Sequence, residues 1–594
     1  MTTTRRNLLK FVGGGAAGAL LTPAPWRLIT DSALWSENWP GIPRPAHGGI
    51  TARFTHCTLC PAGCAVRARC VAGQPVSLTG VKPHAVSHGA LCPWGIAGHH
   101  LPYHPARVRQ GPVKEATAAV AQAIAQRGTG EHVAVLDLRP GRTVSWTHRR
   151  AMAAINGGLY LTPRQPGYSI DLAAAKTVIS FGAPLFDGWG TPGNVIAARS
   201  IFRLIQIEPV ETRTAAMADL WLPIQPGSEF MLAAALAGNM TLAEAALITG
   251  VGEQALAAVQ EAAESGQAVV LAADPASPLM SLNEKYGALG RTVVARSDAP
   301  MPEAWKQAAP EMSMAAAPDG AIRVLLIDES LPGGYIPWRR IAPKLAPDAV
   351  VVVFTSSNDG YARHAQFVLP AAVYPETAED IGPAIDTVAA VFRIAAPLIA
   401  PVVPAVDPAR FVERLAGLPA SEPLRERAGA IHKAGRGTLL DYTAAKSTPV
   451  KDVTADNFWK TLSQGGCWMD DSAKRTAPEN LVFPAAGEPP RDERPLTVVV
   501  AEPRRGGLES PLMSKLERES NLRLAANRVA LSPDGARASG IENGDRAVLE
   551  TAFGRLNVVV AIDPSVPAGV VEVAGGPRMA DLCGGNGRAR VVRA

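Results

Sequence analysis

Short apolar runs alternate with helical patterns along most of the chain after residue 110. Ala-rich stretches such as EATAAVAQAIAQ (115–126) and EFMLAAALAG (229–238) favour helices. Between them lie runs typical of buried parallel strands: HVAVLDL (132–138), AKTVISFG (175–182), FRLIQIEP (202–209), AVVLAADP (268–275), IRVLLIDE (322–329) and AVVVVFTSS (349–357). Strands that alternate with helices predict doubly wound α/β domains.

The pattern changes near residue 491, where short strands separated by turn residues replace this alternation. Runs such as LTVVVAEP (496–503) and NRVALSPDG (527–535) predict a C-terminal β-barrel-like domain. The chain has 594 residues, which is too long for one hydrophobic core, so we expect several domains. No apolar run reaches the roughly 18 to 20 residues that a membrane-spanning helix needs.

Composition narrows the class of protein. An apolar fraction of 47% with 19% charged residues describes a well-packed globular chain. The formal net charge of +5 is small and the basic residues are scattered, so we expect no nucleic-acid partner. Seven cysteines are too few for a disulfide scaffold, and four of them lie in one cluster, which favours metal binding.

The cluster reads THCTLCPAGC (55–64) followed by LCPWG (91–95), and it contains Cys57, Cys60, Cys64 and Cys92. A Cys-x2-Cys-x3-Cys turn places three thiolates around one corner of a cubane, and a distant cysteine supplies the fourth ligand. Structural zinc usually shows two paired Cys-x2-Cys knuckles, and here the second half is a single cysteine. The spacing favours a [4Fe–4S] cluster, while zinc and unmetallated thiols stay open as alternatives.

The remaining cysteines do not extend this pattern. Cys70 ends the alternating run AVRAR, which predicts a strand, and Cys467 and Cys583 are isolated. We expect buried core positions for all three. No Cys-x-x-Cys-His motif occurs, which argues against covalent c-type haem in this chain.

The N-terminal residues have the pattern of a targeting segment followed by an extended segment. Residues 1–30 contain the pair Arg5 and Arg6 before a short Gly/Ala/Leu core, and they resemble a twin-arginine export signal. The Trp- and Pro-rich segment 31–49 then predicts an extended arm. Export to the periplasmic side of the cytoplasmic membrane follows from this interpretation.

The order of motifs resembles the molybdopterin oxidoreductase family. The cysteine motif opens it, and YHPARVRQGP (103–112) is similar to the segment that follows the family's cluster domain. The block IQIEPVETRTAAMADLWLPIQPGSEF (205–230) and the later HAQFVLPAAVYPE (364–376) also match family blocks. The likeness covers nearly the whole chain after the signal.

The resemblance implies an α/β multidomain fold with a small β Fe–S domain, two doubly wound α/β domains and a C-terminal β-barrel-like, dinucleotide-binding-like domain. The expected divisions are a cluster domain at 50–104 with part of 437–490, one α/β domain at 105–163 and 264–436, an inserted α/β domain at 164–263, and the barrel at 491–594.

Family members bind two pterin dinucleotides through glycine backbone and an acidic residue. The resemblance carries this role to Gly182, Glu208, Gly227 and Glu229, as a vestigial pterin nucleotide site. Both acidic positions are Glu where the family usually has Asp. An alternative is that these are strand-end loops kept for folding.

Two departures from the family pattern change the expected function. The loop that carries the molybdenum ligand is shortened to RQPGYSIDL (164–172), and Ser169 within it has no matching motif. The family usually places Lys or Arg two residues after the fourth cysteine, where this chain has Trp94, which we expect near the cluster without adding charge. Molybdenum and molybdopterin guanine dinucleotide are therefore expected to be absent.

Within the family, the combination resembles the molybdenum-free, molybdopterin-like subunits of menaquinone reductase complexes. That likeness implies an electron-transfer subunit with one [4Fe–4S] cluster and without a substrate site of its own. The implied partners are a multi-cluster ferredoxin-like subunit, a multihaem cytochrome c and a polytopic quinone-binding membrane subunit. Two alternatives remain, an active molybdenum bis-pterin oxidoreductase acting on formate or a small anion, and a structural scaffold.

Overall fold

A computed structural model describes most of the chain after residue 47. The described residues are 5, 9, 10, 12–15, 18, 48–82, 86–104, 106–163, 167–479, 493–501, 527–583 and 587–594. Most of the predicted signal at 1–30 and of the predicted arm at 31–49 lies outside them.

Three antiparallel strands and one short helix form a small N-terminal domain. They are β1 (Ile50–His56), β2 (Ala65–Val71), β3 (Gln74–Gly80) and α1 (Pro93–Ala97). β1 pairs with β2, and β2 pairs with β3. Along β2 the buried Val66, Ala68 and Cys70 alternate with the exposed Arg67 and Arg69, which confirms the strand predicted from this run.

The chain then begins a parallel sheet and leaves it after two strands. The elements are α2 (Val113–Gln126), β4 (His132–Asp137), α3 (Thr143–Ala154) and β5 (Gly158–Thr162). β4 and β5 run parallel. The side chains of β4 are buried except at its first residue, because helices cover both faces of such a sheet.

An inserted domain follows, with four parallel strands in the order β10-β7-β8-β9 and an antiparallel pair of β6 and β11. Its elements are β6 (Tyr168–Ile170), β7 (Thr177–Phe181), α4 (Pro192–Ala198), β8 (Arg203–Ile207), α5 (Arg213–Ala216), β9 (Leu220–Leu222), α6 (Glu229–Ala237), α7 (Leu242–Thr249), α8 (Glu253–Glu264), β10 (Ala268–Ala272), α9 (Leu282–Lys285) and β11 (Val293–Ala295).

The predicted end of the inserted domain at residue 263 is wrong. β10, which the sequence analysis assigned to the other α/β domain, pairs along its whole length with β7. The reason is that a continuous apolar run is suited to any buried parallel position, so hydrophobicity alone does not say which of two sheets the strand joins.

The chain returns to the first sheet and completes it as six parallel strands in the order β12-β5-β4-β13-β14-β15. The returning elements are β12 (Glu311–Ser313), β13 (Ile322–Glu329), α10 (Trp338–Ile341), β14 (Leu345–Thr355), β15 (Phe367–Pro370) and, after the next two strands, α11 (Pro408–Leu415). Both sheets are parallel with covering helices, so the predicted α/β class is confirmed.

A five-stranded sheet in the order β16-β17-β20-β18-β19 lies beside the cysteine domain. Its elements are β16 (Glu379–Asp380), β17 (Ala390–Ala395), α12 (Pro423–Lys433), β18 (Thr438–Asp441), β19 (Lys446–Pro449), α13 (Ala455–Ser463) and β20 (Cys467–Asp470). The Thr55 hydroxyl donates to the Ala396 carbonyl over 2.7 Å, and a ring nitrogen of His56 lies 3.1 Å from the Ile394 carbonyl. These contacts join β1 to β17.

The C-terminal domain is a closed barrel in the order β21-β25-β22-β24-β23-β26. Its elements are β21 (Leu496–Ala501), β22 (Arg528–Leu531), α14 (Pro533–Ala538), β23 (Arg546–Thr551), β24 (Gly554–Ile562), β25 (Val570–Ala574), α15 (Pro577–Cys583) and β26 (Arg588–Arg593). The predicted β-barrel-like domain is confirmed.

No single helix of the described residues combines the length and the hydropathy of a membrane span. α7 and α8 reach both only when taken together, and they are bent by 120° at the break between them.

Candidate metal centre

Three of the four predicted ligand cysteines lie on the loop that joins β1 to β2. The Cys57 N–H donates to the Cys64 carbonyl over 2.9 Å and closes the base of the loop. The Gly63 N–H donates to the Cys60 carbonyl over 3.3 Å. Cys57, Cys60 and Cys64 are only 4%, 8% and 5% exposed. The loop therefore holds three thiols away from water.

Cys92 arrives from the segment after β3, immediately before α1, and is half-buried. Burial raises the pKa of Cys57, and the neighbouring charges of Cys60, Cys92 and Cys64 raise it further. The structure thus gathers the four cysteines that the sequence singled out. Their role as ligands of a [4Fe–4S] cluster stays a prediction.

The surroundings of the thiols fit an anionic, sulfur-rich group. Among the described residues, no three His, Cys, Asp or Glu side chains lie close enough together to bind a single metal ion. A single ion such as zinc requires each ligand sulfur to lie about 2.3 Å from it. Electrostatic coupling between the thiols acts over longer distances, as the pKa of Cys57 shows. Beside the loop, the buried hydroxyls of Thr58 and Tyr374 have no hydrogen-bond partner in the described structure. Sulfide and thiolate sulfurs would accept from them.

Arg139 reaches the cysteine loop from the turn after β4. Its guanidinium donates to the Thr58 carbonyl and, over 2.7 Å, to the Cys60 carbonyl. Burial and the nearby charge of Arg142 lower the pKa of Arg139 to about 10, although the thiols and Glu379 act in the opposite direction. Among the described residues both side-chain contacts of Arg139 are to carbonyls of this loop, so its charge faces the cysteines.

Arg393 reaches the same loop from β17 and is fully buried. Its Nη2 donates to the Pro61 carbonyl over 3.2 Å, whereas Nε and Nη1 have no partner among the described residues. The guanidinium occupies the space beside Gly63, where an added Cβ would lie 2.6 Å from Cζ. Gly63 also has a φ of 53°, in the left-handed region. A glycine is therefore required for two independent reasons.

Arg142 holds together the turn that carries Arg139. It pairs with Asp137 at 3.1 Å, with Asp328 at 3.0 Å and with Glu379. Its Nε donates to the Arg139 carbonyl over 2.8 Å. Burial raises the pKa of Glu379 to about 7, although the charge of Arg142 lowers it. A buried ionic network thus fixes the backbone behind the cysteine loop.

Two cavities adjoin the loop. The larger, of about 490 Å³, lies between the loop, both α/β sheets and the barrel, and is lined by residues including Leu59, Trp189, Glu329, Tyr374 and Pro577. Burial raises the pKa of Glu329 to about 8. The smaller, of about 290 Å³, is lined by residues including Cys60, Arg139, Arg296 and Gly333.

The predicted nucleotide-site residues all lie at one edge of the inserted sheet. Gly182 follows β7 with a φ of 66°, and a Cβ there would lie 3.9 Å from Oε2 of Glu208, which follows β8. Gly227 and Glu229 lie in and just after the turn between β9 and α6, where burial raises the pKa of Glu229. Burial also raises the pKa of Glu208, which accepts from Thr212. The lining of the larger cavity includes none of the four.

Trp94 is the second residue of α1 and is half-buried. The start of α1 lies against the thiols, because a Cβ added to Gly95 would be 3.6 Å from the Cys57 sulfur. The other cysteines occupy the predicted core positions, with Cys70, Cys467 and Cys583 at most 1% exposed.

Arg139 and Arg393 were not among the residues predicted for the site. The sequence around each arginine nevertheless indicates a special position. Arg393 interrupts the fully buried strand AVFRIA, where a charged residue needs a special partner. Arg139 opens the turn RPGR directly after a buried strand, at the sheet edge where α/β proteins place their sites.

Comparison with known families gives two matches. The molybdopterin oxidoreductase Fe4S4 domain matches residues 51–104, and the molydopterin dinucleotide binding domain matches residues 512–586. The chain carries two molybdopterin oxidoreductase domains. The first of them contains the four cysteines, and the second covers most of the barrel.

Two known proteins are similar in sequence to this chain. The menaquinone reductase, molybdopterin-binding-like subunit of Nitratidesulfovibrio vulgaris is 26% identical over 486 residues, which cover 68% of this chain and 70% of the relative. A sulfite dehydrogenase subunit of Allochromatium vinosum is 27% identical over 32% of this chain, and the match spans only 24% of that protein.

Among solved structures, acetylene hydratase from Pelobacter acetylenicus superposes with a TM-score of 0.68 at 14% identity. The superposition covers 91% of this chain and 100% of that structure. Together with the two domain matches, this superposition confirms the expected molybdopterin-oxidoreductase-like multidomain fold.

Proposed function

We propose that this chain is an iron–sulfur electron-transfer subunit of a membrane-associated respiratory quinone reductase complex. The observation that supports this most directly is the buried four-cysteine site with two guanidinium groups on its loop. The similarity to a menaquinone reductase subunit over 70% of that protein supports the kind of complex.

In this proposal Cys57, Cys60, Cys64 and Cys92 hold one [4Fe–4S] cluster, which supplies one-electron transfer when bound. The chain's own contribution is to exclude water from three thiols and to surround them with positive charge. Cys92 and Trp94 are half-buried, so α1 is where the site comes closest to the surface. We therefore propose α1 as the contact with the next redox subunit.

We propose the periplasmic side of the cytoplasmic membrane as the location, reached by the twin-arginine route suggested by the N-terminal residues. The proposed partners are a multi-cluster ferredoxin-like subunit, a multihaem cytochrome c and a polytopic quinone-binding membrane subunit. In the described part of the connection between β5 and β7 lie the three-residue strand β6 and a 3-10 turn at Leu172–Ala174, and Ser169 is buried within β6. That short connection supports a chain without a molybdenum ligand and without bound molybdopterin guanine dinucleotide.

Metal analysis of the purified protein tests the proposal. We expect about four iron atoms per chain and negligible molybdenum or tungsten. Cys92→Ser should lose the cluster or convert it to a form with less iron, while Cys70→Ser, a buried cysteine outside the site, should keep it. Stoichiometric molybdenum would refute the proposal.

A second candidate function is an active molybdenum bis-pterin oxidoreductase acting on formate or a small anion. Two observations favour it, the match to the dinucleotide-binding domain and the 490 Å³ cavity beside the cysteine loop. The same metal analysis separates the two candidates. A scaffold role is separated by a redox titration, since a purely structural cluster would not change oxidation state during quinone turnover.

A further inference from the structure

Two buried arginines contact the cysteine loop, and neither forms an ion pair within the described part of the chain. Arg139 donates to two of its carbonyls, and Arg393 donates to a third. Among the described residues, the other fully buried arginines are paired with carboxylates. Arg107 lies 2.6 Å from Glu376, and Arg142 contacts three carboxylates. The missing ion pairs are thus particular to this loop.

An unpaired buried cation is costly, because the protein interior solvates it poorly and carbonyl dipoles offset only part of the loss. Two such cations on one loop therefore require a nearby negative charge. Thiols must lose their protons to bind metal, so metal binding by Cys57, Cys60, Cys64 and Cys92 would concentrate negative charge at this loop. The negative charge of the thiolates therefore has the sign and the position that the two unpaired guanidinium groups require.

We propose that Arg139 and Arg393 are the counter-charges of the cysteine site and raise its reduction potential, an inference that rests on the proposed iron–sulfur function. Uptake of one electron adds one negative charge beside the two guanidinium groups, which stabilise the reduced form. The positive charge at the loop comes from two residues outside the cysteine domain, on the turn after β4 and on β17.

Redox titration of the purified full-length protein, followed by electron paramagnetic resonance, tests the inference. Arg139→Gln and Arg393→Gln should each shift the midpoint potential to lower values, and the double variant should shift it further. Arg139→Lys and Arg393→Lys keep the charge and should stay close to the wild-type potential. The control is Arg427→Gln, which removes a buried arginine paired with Asp380 at 3.1 Å and should leave the potential unchanged.

Iron content decides the remaining outcomes. Loss of iron in the Gln variants with retention in the Lys variants supports the counter-charge role. Equal loss of iron in the Gln and Lys variants overturns that role and shows that the two arginines only hold the loop in position. Full iron loading with an unmoved potential in both Gln variants also overturns it. A wild-type chain without iron overturns this inference and the proposed function together, and stoichiometric molybdenum beside iron overturns the proposed function alone.

Discussion

Replacing Arg142 by Met should destabilise the structure behind the cysteine loop more than a surface substitution does. Met keeps much of the side-chain length but removes the charge and all hydrogen bonds. Asp137, Asp328 and Glu379 would then be left buried without their shared cation. The carbonyl of Arg139 would lose its donor as well.

Breaking a buried ion pair by removing one partner costs about 3 to 5 kcal/mol, because an uncompensated charge stays in the interior. Three carboxylates depend on Arg142, which favours the upper part of that range. Glu379 limits the loss, since its pKa is already raised to about 7 beside Arg142 and removal of that cation raises it further, so that this carboxylate takes up a proton near neutral pH. At about 1.4 kcal/mol per factor of ten, local opening should become roughly a hundredfold to a few thousandfold more frequent.

Hydrogen–deuterium exchange of β4 and α3 measures this opening directly. Arg150→Met within α3 is the control, because Arg150 is half-buried and outside the network. Adding Glu379→Gln to Arg142→Met should recover part of the loss, since it removes one unpaired charge. Exchange in Arg142→Met within tenfold of the wild type would show that the network carries little stability.

Two further predictions concern the glycine and the titratable groups of the site. Gly63→Ala should lower iron content and stability, because its Cβ would collide with the Arg393 guanidinium and because the backbone φ of 53° is unfavourable for alanine. We expect metal analysis to show less iron while circular dichroism shows an unchanged helix signal. Burial raises the pKa of Asp386, Glu379 and Glu329 to about 6, 7 and 8, so the folded chain holds protons that the unfolded chain releases. Stability should therefore fall as pH rises from about 4.5 to 8, and a melting temperature that climbs over that range would contradict this.

Much of the architecture could be predicted from local patterns. Continuous apolar runs identified β4, β13 and β14 of one parallel sheet and β7, β8 and β10 of the other, because burial on both faces leaves no polar alternation. The change to short strands near residue 491 identified the barrel. The spacing of Cys57, Cys60, Cys64 and Cys92 singled out the four thiols that the fold gathers.

The surroundings of the thiols could not be predicted in the same way. Arg139 and Arg393 reach the loop through contacts between domains, which depend on how sheets dock and leave no periodic trace in the sequence. The placement of β10 failed for a related reason, because two parallel sheets compete for the same kind of strand. Local patterns identify elements, while partners far apart in the chain are chosen by packing.

The cysteine loop is completed late in synthesis. Its carbonyl at Pro61 is 332 residues away from the arginine on β17 that contacts it. At about 5 to 20 residues per second, the ribosome needs roughly 15 to 65 s to add that arginine after the loop has been made. Until then the four thiols lack one of their two cations. We therefore expect stable loading of the site only after about two-thirds of the chain has been made, so that a fragment ending before Arg393 should retain metal poorly even with the four ligand cysteines present.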